Sequence, residues 1–309
     1  MIKAFFVVLL LAFNVLAEDA PSLTGLMTKE YDGGDLKLIK VLARNTAYTR
    51  YLITYKGDGL KISGIMNLPG GEGPFPVIIL NHGFIDPKIY TNGRGLKREQ
   101  DYLARRGYIV IHPDYRNHAF SDKDPTDLAG FRLGYVIDAI NCILAVKNSD
   151  LPYFDKENIG LLGHSMGGGV VINILVVKPD LARAAVLFAP TSADYRDNFS
   201  RWLWKRKHHP EIAEKILKMY GSPEANPAFW DGLSAKNYLD NISAPIMLHH
   251  GLADQSVPIE WSDKLAGWLK EKGKKVIYYR YSGEPHEFTA AWPLVMRRTV
   301  QFFDEYLRR

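Results

Sequence analysis

Residues 158–163 form a short apolar run that passes through Ser165 into a helical pattern over 166–177 with almost no loop. An apolar run of this length is the signature of a strand buried on both faces. A helix following so closely demands a tight turn. Gly163 and Gly167, on either side of Ser165, allow that turn and a close approach of strand to helix, and Gly168 and Gly169 extend the allowance.

The same alternation recurs along the chain. Short apolar strands are predicted at 77–80, 108–111, 184–189, 245–249 and 276–281, and helices at 95–106, 128–147, 261–272 and 292–307. Two further strands, 51–55 and 61–68, flank the turn Gly57-Asp58-Gly59. Buried strands alternating with helices imply a parallel sheet covered on both faces. Right-handed crossovers make that sheet doubly wound, with reactive groups expected at the carboxyl ends of its strands. Residues 191–241 break the rhythm. They lie between two core strands, carry no strand of their own, and hold Phe199, Trp202, Trp204, Phe229 and Trp230. A crossover needs far less chain, so the segment is expected to be a helical cap insertion over the carboxyl edge.

The chain has 309 residues, 47% of them hydrophobic, enough for one large core. Residues 1–17 are expected to stand outside it. Lys3 precedes an apolar stretch over 4–16, and Val15-Leu16-Ala17 leads into Glu18-Asp19. That is the layout of a secretory signal peptide cleaved after Ala17, which predicts a secreted or periplasmic protein with one domain over 18–309. An uncleaved anchor is the other reading, although the stretch is shorter than the roughly 20 residues a spanning helix needs. No later stretch is apolar enough to span, so no membrane insertion is expected after cleavage. Cys142, the single cysteine, can make no internal disulfide and sits in an apolar helical pattern. It reads as a small hydrophobe, not a catalytic thiol. The net charge of +5 is mild and does not argue for nucleic acid.

Gly163-His164-Ser165-Met166-Gly167 fits G-x-S-x-G. The pattern alone is weak, but the strand before it and the helix after it are the setting of a nucleophile elbow. A serine hydroxyl needs an adjacent base. His82, His112, His164, His118, His208, His209, His249 and His250 can all be given structural places. His286 differs, because it lies in a loop directly after the strand at 276–281. Asp254 follows the strand at 245–249 and is the candidate partner of His286; Glu284 and Glu287 are too near in sequence to sit behind its ring. The order Ser, Asp, His is that of the α/β-hydrolase fold. An oxyanion would want two backbone N–H donors. Met166, after the serine, is one candidate, and Phe84, in Asn81-His82-Gly83-Phe84, is the other.

Taken together, His82-Gly83-Phe84, Gly163-His164-Ser165-Met166-Gly167-Gly168, the run from His250-Gly251 through Asp254 to Val257-Pro258, and Glu284-Pro285-His286-Glu287-Phe288 resemble the catalytic domain of the prolyl oligopeptidase family of serine peptidases. The resemblance covers roughly residues 51–306. It implies an α/β-hydrolase fold, Ser165, Asp254 and His286 as a triad, no metal or organic cofactor, and a small ester or short peptide as substrate. Peptidase members usually carry a β-propeller ahead of this domain. The stretch between residue 18 and the first core strands is too short for one, which raises the expectation of an esterase without peptidase activity. A catalytically silent binding protein on the same fold is the alternative of a different class.

Two features remain. The basic run 201–209 reads as a solvated helix face with its tryptophans packed inward, in preference to an anion-attracting surface. His208 and His209 make a poor metal pair because adjacent helical residues diverge. Asp114-Tyr115-Arg116, after the strand at 108–111, is expected to shape the floor of the site, with a catalytic carboxylate at Asp114 the lesser option.

Overall fold

A computed structural model describes residues 20–124, 131–205 and 210–308. The expected leader at residues 1–17 and the pair His208 and His209 lie outside the described residues. A single sheet organises the fold. Its strands are β1 (Gly34–Arg44), β2 (Tyr48–Gly57), β3 (Leu60–Pro69), β4 (Phe75–Asn81), β5 (Ile109–Pro113), β6 (Phe154–His164), β7 (Ala184–Phe188), β8 (Ile246–Gly251) and β9 (Val276–Tyr281). They lie in the order β1-β2-β3-β5-β4-β6-β7-β8-β9. The first three strands form an antiparallel flank joined to β5, and from β5 to β9 every pairing is parallel. This is the mostly parallel, doubly wound sheet expected of an α/β-hydrolase.

Helices cover both faces, each with its own core. Helices α3 (Leu133–Lys147), α4 (Met166–Val177) and α8 (Ile259–Glu271) pack on one face, burying Val136, Ile140, Val171, Leu175 and Leu265 against Ile79, Ile111 and Leu161. Helices α2 (Lys97–Ala104) and α9 (Trp292–Leu307) cover the other, setting Leu103, Phe302 and Phe303 against Ile78, Val110, Leu162 and Val186. Cys142 lies buried in α3 with a free thiol. The strands of the parallel body carry apolar residues on both faces because both faces are covered.

Register aligns the strand ends. Asn81 pairs with Gly163, His164 with Phe188, and Phe188 with His249. The segments beginning at His82, Ser165, Ala189, Leu252 and Ser282 therefore leave the sheet along one edge.

β1 is absent from the sequence reading. Its run is interrupted by Asp35, Lys37 and Lys40, its outer edge carries no neighbouring strand among the described residues, and three irregularities break its register with β2. An edge strand with a solvated face lacks the continuous apolar run that marks the inner strands. Helix α1 (Leu23–Thr28) precedes it, capped by Ser22 Oγ accepting from Gly25 N.

Between β7 and β8 the described chain is helical: α5 (Tyr195–Asn198), a π-helical turn over Phe199–Lys205, α6 (Pro210–Tyr220), α7 (Pro227–Gly232) and a 3-10 segment over Ala235–Asn241. Trp230 is fully buried here, with Phe199 packed edge-on at 4.6 Å. Trp204 does not pack inward. It is 53% exposed, whereas Trp202 is half-buried, since residues two apart in a helical turn face different ways. No described helix is long and apolar enough to cross a membrane.

Candidate active site

Ser165 occupies the turn between β6 and α4 with φ 57° and ψ −120°. A non-glycine residue rarely adopts such a conformation, and it persists only where the surroundings over-determine it. Here they do. Ser165 N donates to Phe188 O at 2.9 Å, and Ser165 O accepts from Gly168 N and Thr191 N, both at 3.0 Å. The flanking glycines are required by contact. A Cβ at Gly163 would lie 2.3 Å from Gly167 O, and one at Gly167 would lie 1.9 Å from Asn81 O. Helix α4 can start beside β4 and β6 only because both side chains are missing.

The loop after β4 closes on this turn. A Cβ at Gly83 would come within 3.2 Å of Ser165 Cβ, so the backbone leading to Phe84 lies against the serine. Phe84 itself is 59% exposed, with the Arg132 guanidinium 5.0 Å from its ring centre. Met166 is the first residue of α4, so its N–H belongs to the turn that has no partner within the helix.

Asp254 and His286 meet. Asp254 Oδ2 lies 2.6 Å from His286 Nδ1, although the two residues leave different strands. The Asp254 side chain is fully buried. Its Oδ1 accepts from Ser256 N at 2.8 Å and Val257 N at 2.9 Å. Burial opposes ionisation, yet hydrogen bonds from His250 and His286, with support from the Val257 amide, outweigh it and hold this carboxyl well below the usual carboxylate range. An ionised Asp254 accepts from His286 Nδ1–H, which leaves Nε2 of the neutral ring without its hydrogen and able to take one.

The His286 loop is fixed from several sides. Glu284 does not compete for the imidazole; its carboxylate accepts from Thr289 N at 2.5 Å and Ala291 N at 3.0 Å, tying the loop to the start of α9. Arg98 donates to Glu287 O and Phe288 O. Ala253 N donates to Glu284 O, joining the two loops directly. His164, the neighbour of Ser165, donates from Nε2 to His286 O at 3.1 Å, and its ring lies 4.4 Å from the His286 ring. Burial, reinforced by the neighbouring His286, lowers the His164 pKa to about 4, so it holds this contact as a neutral ring. Ser165 and His286 are thus brought to one edge through His164. Ser165 Oγ makes no hydrogen bond to a described residue. Serine–histidine contacts commonly tighten only when substrate is bound.

The lesser option for Asp114 fails. Its buried carboxylate accepts from Tyr90 OH, Gly93 N, Asn92 Nδ2 and Ser63 Oγ, which leaves little capacity to handle a substrate proton. It braces the loop after β4 instead. Arg116 likewise serves the core, pairing with buried Asp138 at 2.8 Å and with Asp58 and Asp124. No group of His, Cys, Asp or Glu among the described residues could hold a metal ion.

Sequence reasoning set His250 aside as the end of a strand. In the structure it lies directly behind Asp254, with Nε2 3.1 Å from Asp254 Oδ2. The available signal was its spacing of four residues from the acid. Arg201, assigned to a solvated face, donates to Ser256 O and Gln255 O and fastens the helical insertion to the Asp254 turn.

Comparison with known proteins places this architecture. The sequence profile of the prolyl oligopeptidase family matches residues 95–309. The uncharacterized peptidase YuxL of Bacillus subtilis (strain 168) is 25% identical over 252 residues, 75% of this chain; the chain spans only 34% of that relative's length. The uncharacterized peptidase YtmA of the same organism is 24% identical over 260 residues, covering 84% of this chain and 93% of YtmA. Among solved structures, the acetyl xylan esterase from Paenibacillus sp. R4 superposes with a TM-score of 0.70 over 92% of each chain at 18% identity, a likeness of fold. With the family profile covering most of its length, the chain belongs to the prolyl oligopeptidase family.

Proposed function

We propose that this chain is a serine hydrolase that cleaves an ester or peptide bond through an acyl-enzyme. One observation carries the reading: the 2.6 Å bond between Asp254 and His286 on the strand edge where Ser165 is held in a strained turn. In this reading Ser165 Oγ attacks the substrate carbonyl carbon while His286 Nε2 takes its proton. Asp254 keeps the Nδ1–H tautomer and stabilises the imidazolium. The N–H groups of Met166 and Phe84 receive the oxyanion. The intermediate collapses as His286 returns the proton to the leaving alcohol or amine, and water then releases the acyl group by the same steps in reverse.

The residues themselves supply nucleophile, base and charge stabilisation, so the reaction draws on no metal or organic cofactor. The substrate class is a small ester or a short peptide. The esterase reading has support of its own: the chain matches the acetyl xylan esterase fold over 92% of both lengths. Residues 1–17 fit a leader for export to the periplasm or the medium, and a mature N-terminus at Glu18 in protein recovered from its host would test this.

The deciding experiment treats purified protein with a fluorophosphonate probe and assays p-nitrophenyl acyl esters beside aminoacyl-proline anilides. Ser165 should be labelled, and Ser165→Ala should lose labelling and about 10⁶ of turnover. Folded protein that resists the probe would sink the hydrolase reading. Ester turnover without anilide turnover would favour the esterase.

A further inference from the structure

Behind Asp254 lies a second hydrogen-bonded pair. His250, the penultimate residue of β8, is fully buried. Its Nε2 faces two acceptors, Asp254 Oδ2 at 3.1 Å and Val257 O at 3.1 Å. Neither can donate, so Nε2 must carry the hydrogen. Nδ1 of the neutral ring is then an acceptor, and Ser262 Oγ, fully buried on α8, lies 2.6 Å from it. The result is a hydrogen-bonded chain from Ser262 through His250 to Val257 O, with the same Nε2–H lying beside the Asp254 carboxylate that His286 bonds. Asp254 thus has N–H groups on both sides: His286 bonds Oδ2, the Ser256 and Val257 amides bond Oδ1, and His250 Nε2 lies 3.1 Å from Oδ2.

We infer that His250, locked in one tautomer by the acceptors at Nε2 and held in place by Ser262 at Nδ1, is a positioning residue that holds Asp254 ionised and aimed at His286. The inference rests on the hydrolytic chemistry proposed at Ser165. Its physical content is a sharing of charge. A carboxylate with a further N–H group beside it is stabilised as the anion and draws the His286 proton less strongly. Removing that donor leaves Asp254 more basic, which stabilises imidazolium at His286 and moves the acid limb of kcat/KM to higher pH. It also releases the carboxylate to tilt, which lowers kcat with little change in KM, because no substrate touches His250.

Other charged or titratable groups face this chain. His164 approaches His286 from β6, with Glu284 and Glu287 in the His286 loop; Arg98 reaches that loop from α2, and Arg201 holds the Asp254 turn from the insertion. All are retained in the variants below, so a shift of the limb reports on the contact between His250 and Asp254.

The test measures pH profiles of ester hydrolysis for H250F, H250Q and S262A, normalised to fluorophosphonate-titrated sites. H250F should lose about 10- to 100-fold in kcat, the scale on which the outer partners of a working histidine act, with its acid limb raised by roughly half a pH unit or more. H250Q, whose amide supplies an N–H near the Nε2 position, should restore most of the rate and the limb. S262A keeps the imidazole and its tautomer but leaves Nδ1 without the hydroxyl that holds the ring in place, and should lose a few-fold in kcat with a smaller shift of the same sign. Wild-type kcat and limb in H250F, or no rescue by H250Q, would overturn the inference. If H250F does not fold, S262A decides alone, and an unchanged S262A overturns it. Failure of the underlying hydrolase reading looks different: the unmutated protein would then resist the probe.

Discussion

The two sides of the candidate site are held by different forces. On the Ser165 side the chain is positioned by close approach: backbone meets backbone at Gly163 and Gly167, and a single added carbon would collide with Gly167 O or Asn81 O. On the Asp254–His286 side one such approach occurs, a Cβ at Gly251 falling 2.2 Å from Glu284 O, but the loops are longer and are positioned mainly by hydrogen bonds, within the loop from Glu284 and from remote segments by Arg98 and Arg201. Steric placement is all-or-none, since atoms cannot interpenetrate. Hydrogen-bonded placement is graded, since each bond removed costs a modest amount. Damage to the serine side should therefore appear as lost structure, and damage to the other side as lost rate.

The sharpest test of that contrast is Asp254→Asn. The amide is nearly isosteric, so thermal stability should change little, while the His286 tautomer is no longer enforced. Turnover should fall about 10⁴-fold, measured by steady-state ester hydrolysis on titrated protein. A loss below tenfold would mean that the hydrogen-bonded side is not needed for chemistry.

Acid should weaken the structure at the seam between the two sides. Burial lowers His82 and His164 to a pKa of about 4 and His249 to about 3, and His112 is also lowered well below its usual value. The unfolded chain protonates these rings near pH 6.5 and the native chain does not. Stability is therefore fully present above pH 6.5 and declines as pH falls toward 4, by up to about 1.4 kcal/mol per pH unit for each histidine. The depressed Asp254 acts in the same sense at lower pH: its contribution is present above its ordinary pKa near 3.8 and is lost as pH falls below it. Urea titrations between pH 7 and 4.5 would show the decline, and a flat profile would contradict the burial argument.

Gly167→Ala attacks the steric side. The added carbon would sit 1.9 Å from a backbone oxygen that cannot rotate away, so at least about 3 kcal/mol should be lost. Thermal unfolding should shift well below the parent, and probe labelling should fall with it. The smallest effect is expected at Glu284→Ala. It removes acceptors for Thr289 N and Ala291 N, which should cost about 2 kcal/mol. Here rate should suffer more than fold, visible as a lower kcat in protein that still melts cooperatively.

The contrast also explains what could be read in advance. The inner strands were legible because strands covered on both faces must be continuously apolar, as at Val77, Ile78, Ile79 and Leu80. β1 was not, since an edge strand with Lys37 and Lys40 on it needs no such run. The turn at Ser165 was legible because only glycine fits beside it. The full bracing of Asp114 and the outward turn of Trp204 were not, because each depends on partners or directions set by residues remote in sequence.

What the sequence determined by itself is local: the alternation of strand and helix, the glycine-flanked turn at Ser165, and the order in which Ser165, Asp254 and His286 each follow a different strand. Tertiary structure decided which groups stand behind them. Strand register brings Phe188 O to Ser165 N, β9 carries His286 to Asp254, and α8 places Ser262 on His250. The reason is physical. Periodicity and steric exclusion act between near neighbours in the chain, whereas a hydrogen bond needs two groups within about 3 Å whatever their separation in sequence, and only the folded sheet sets that distance.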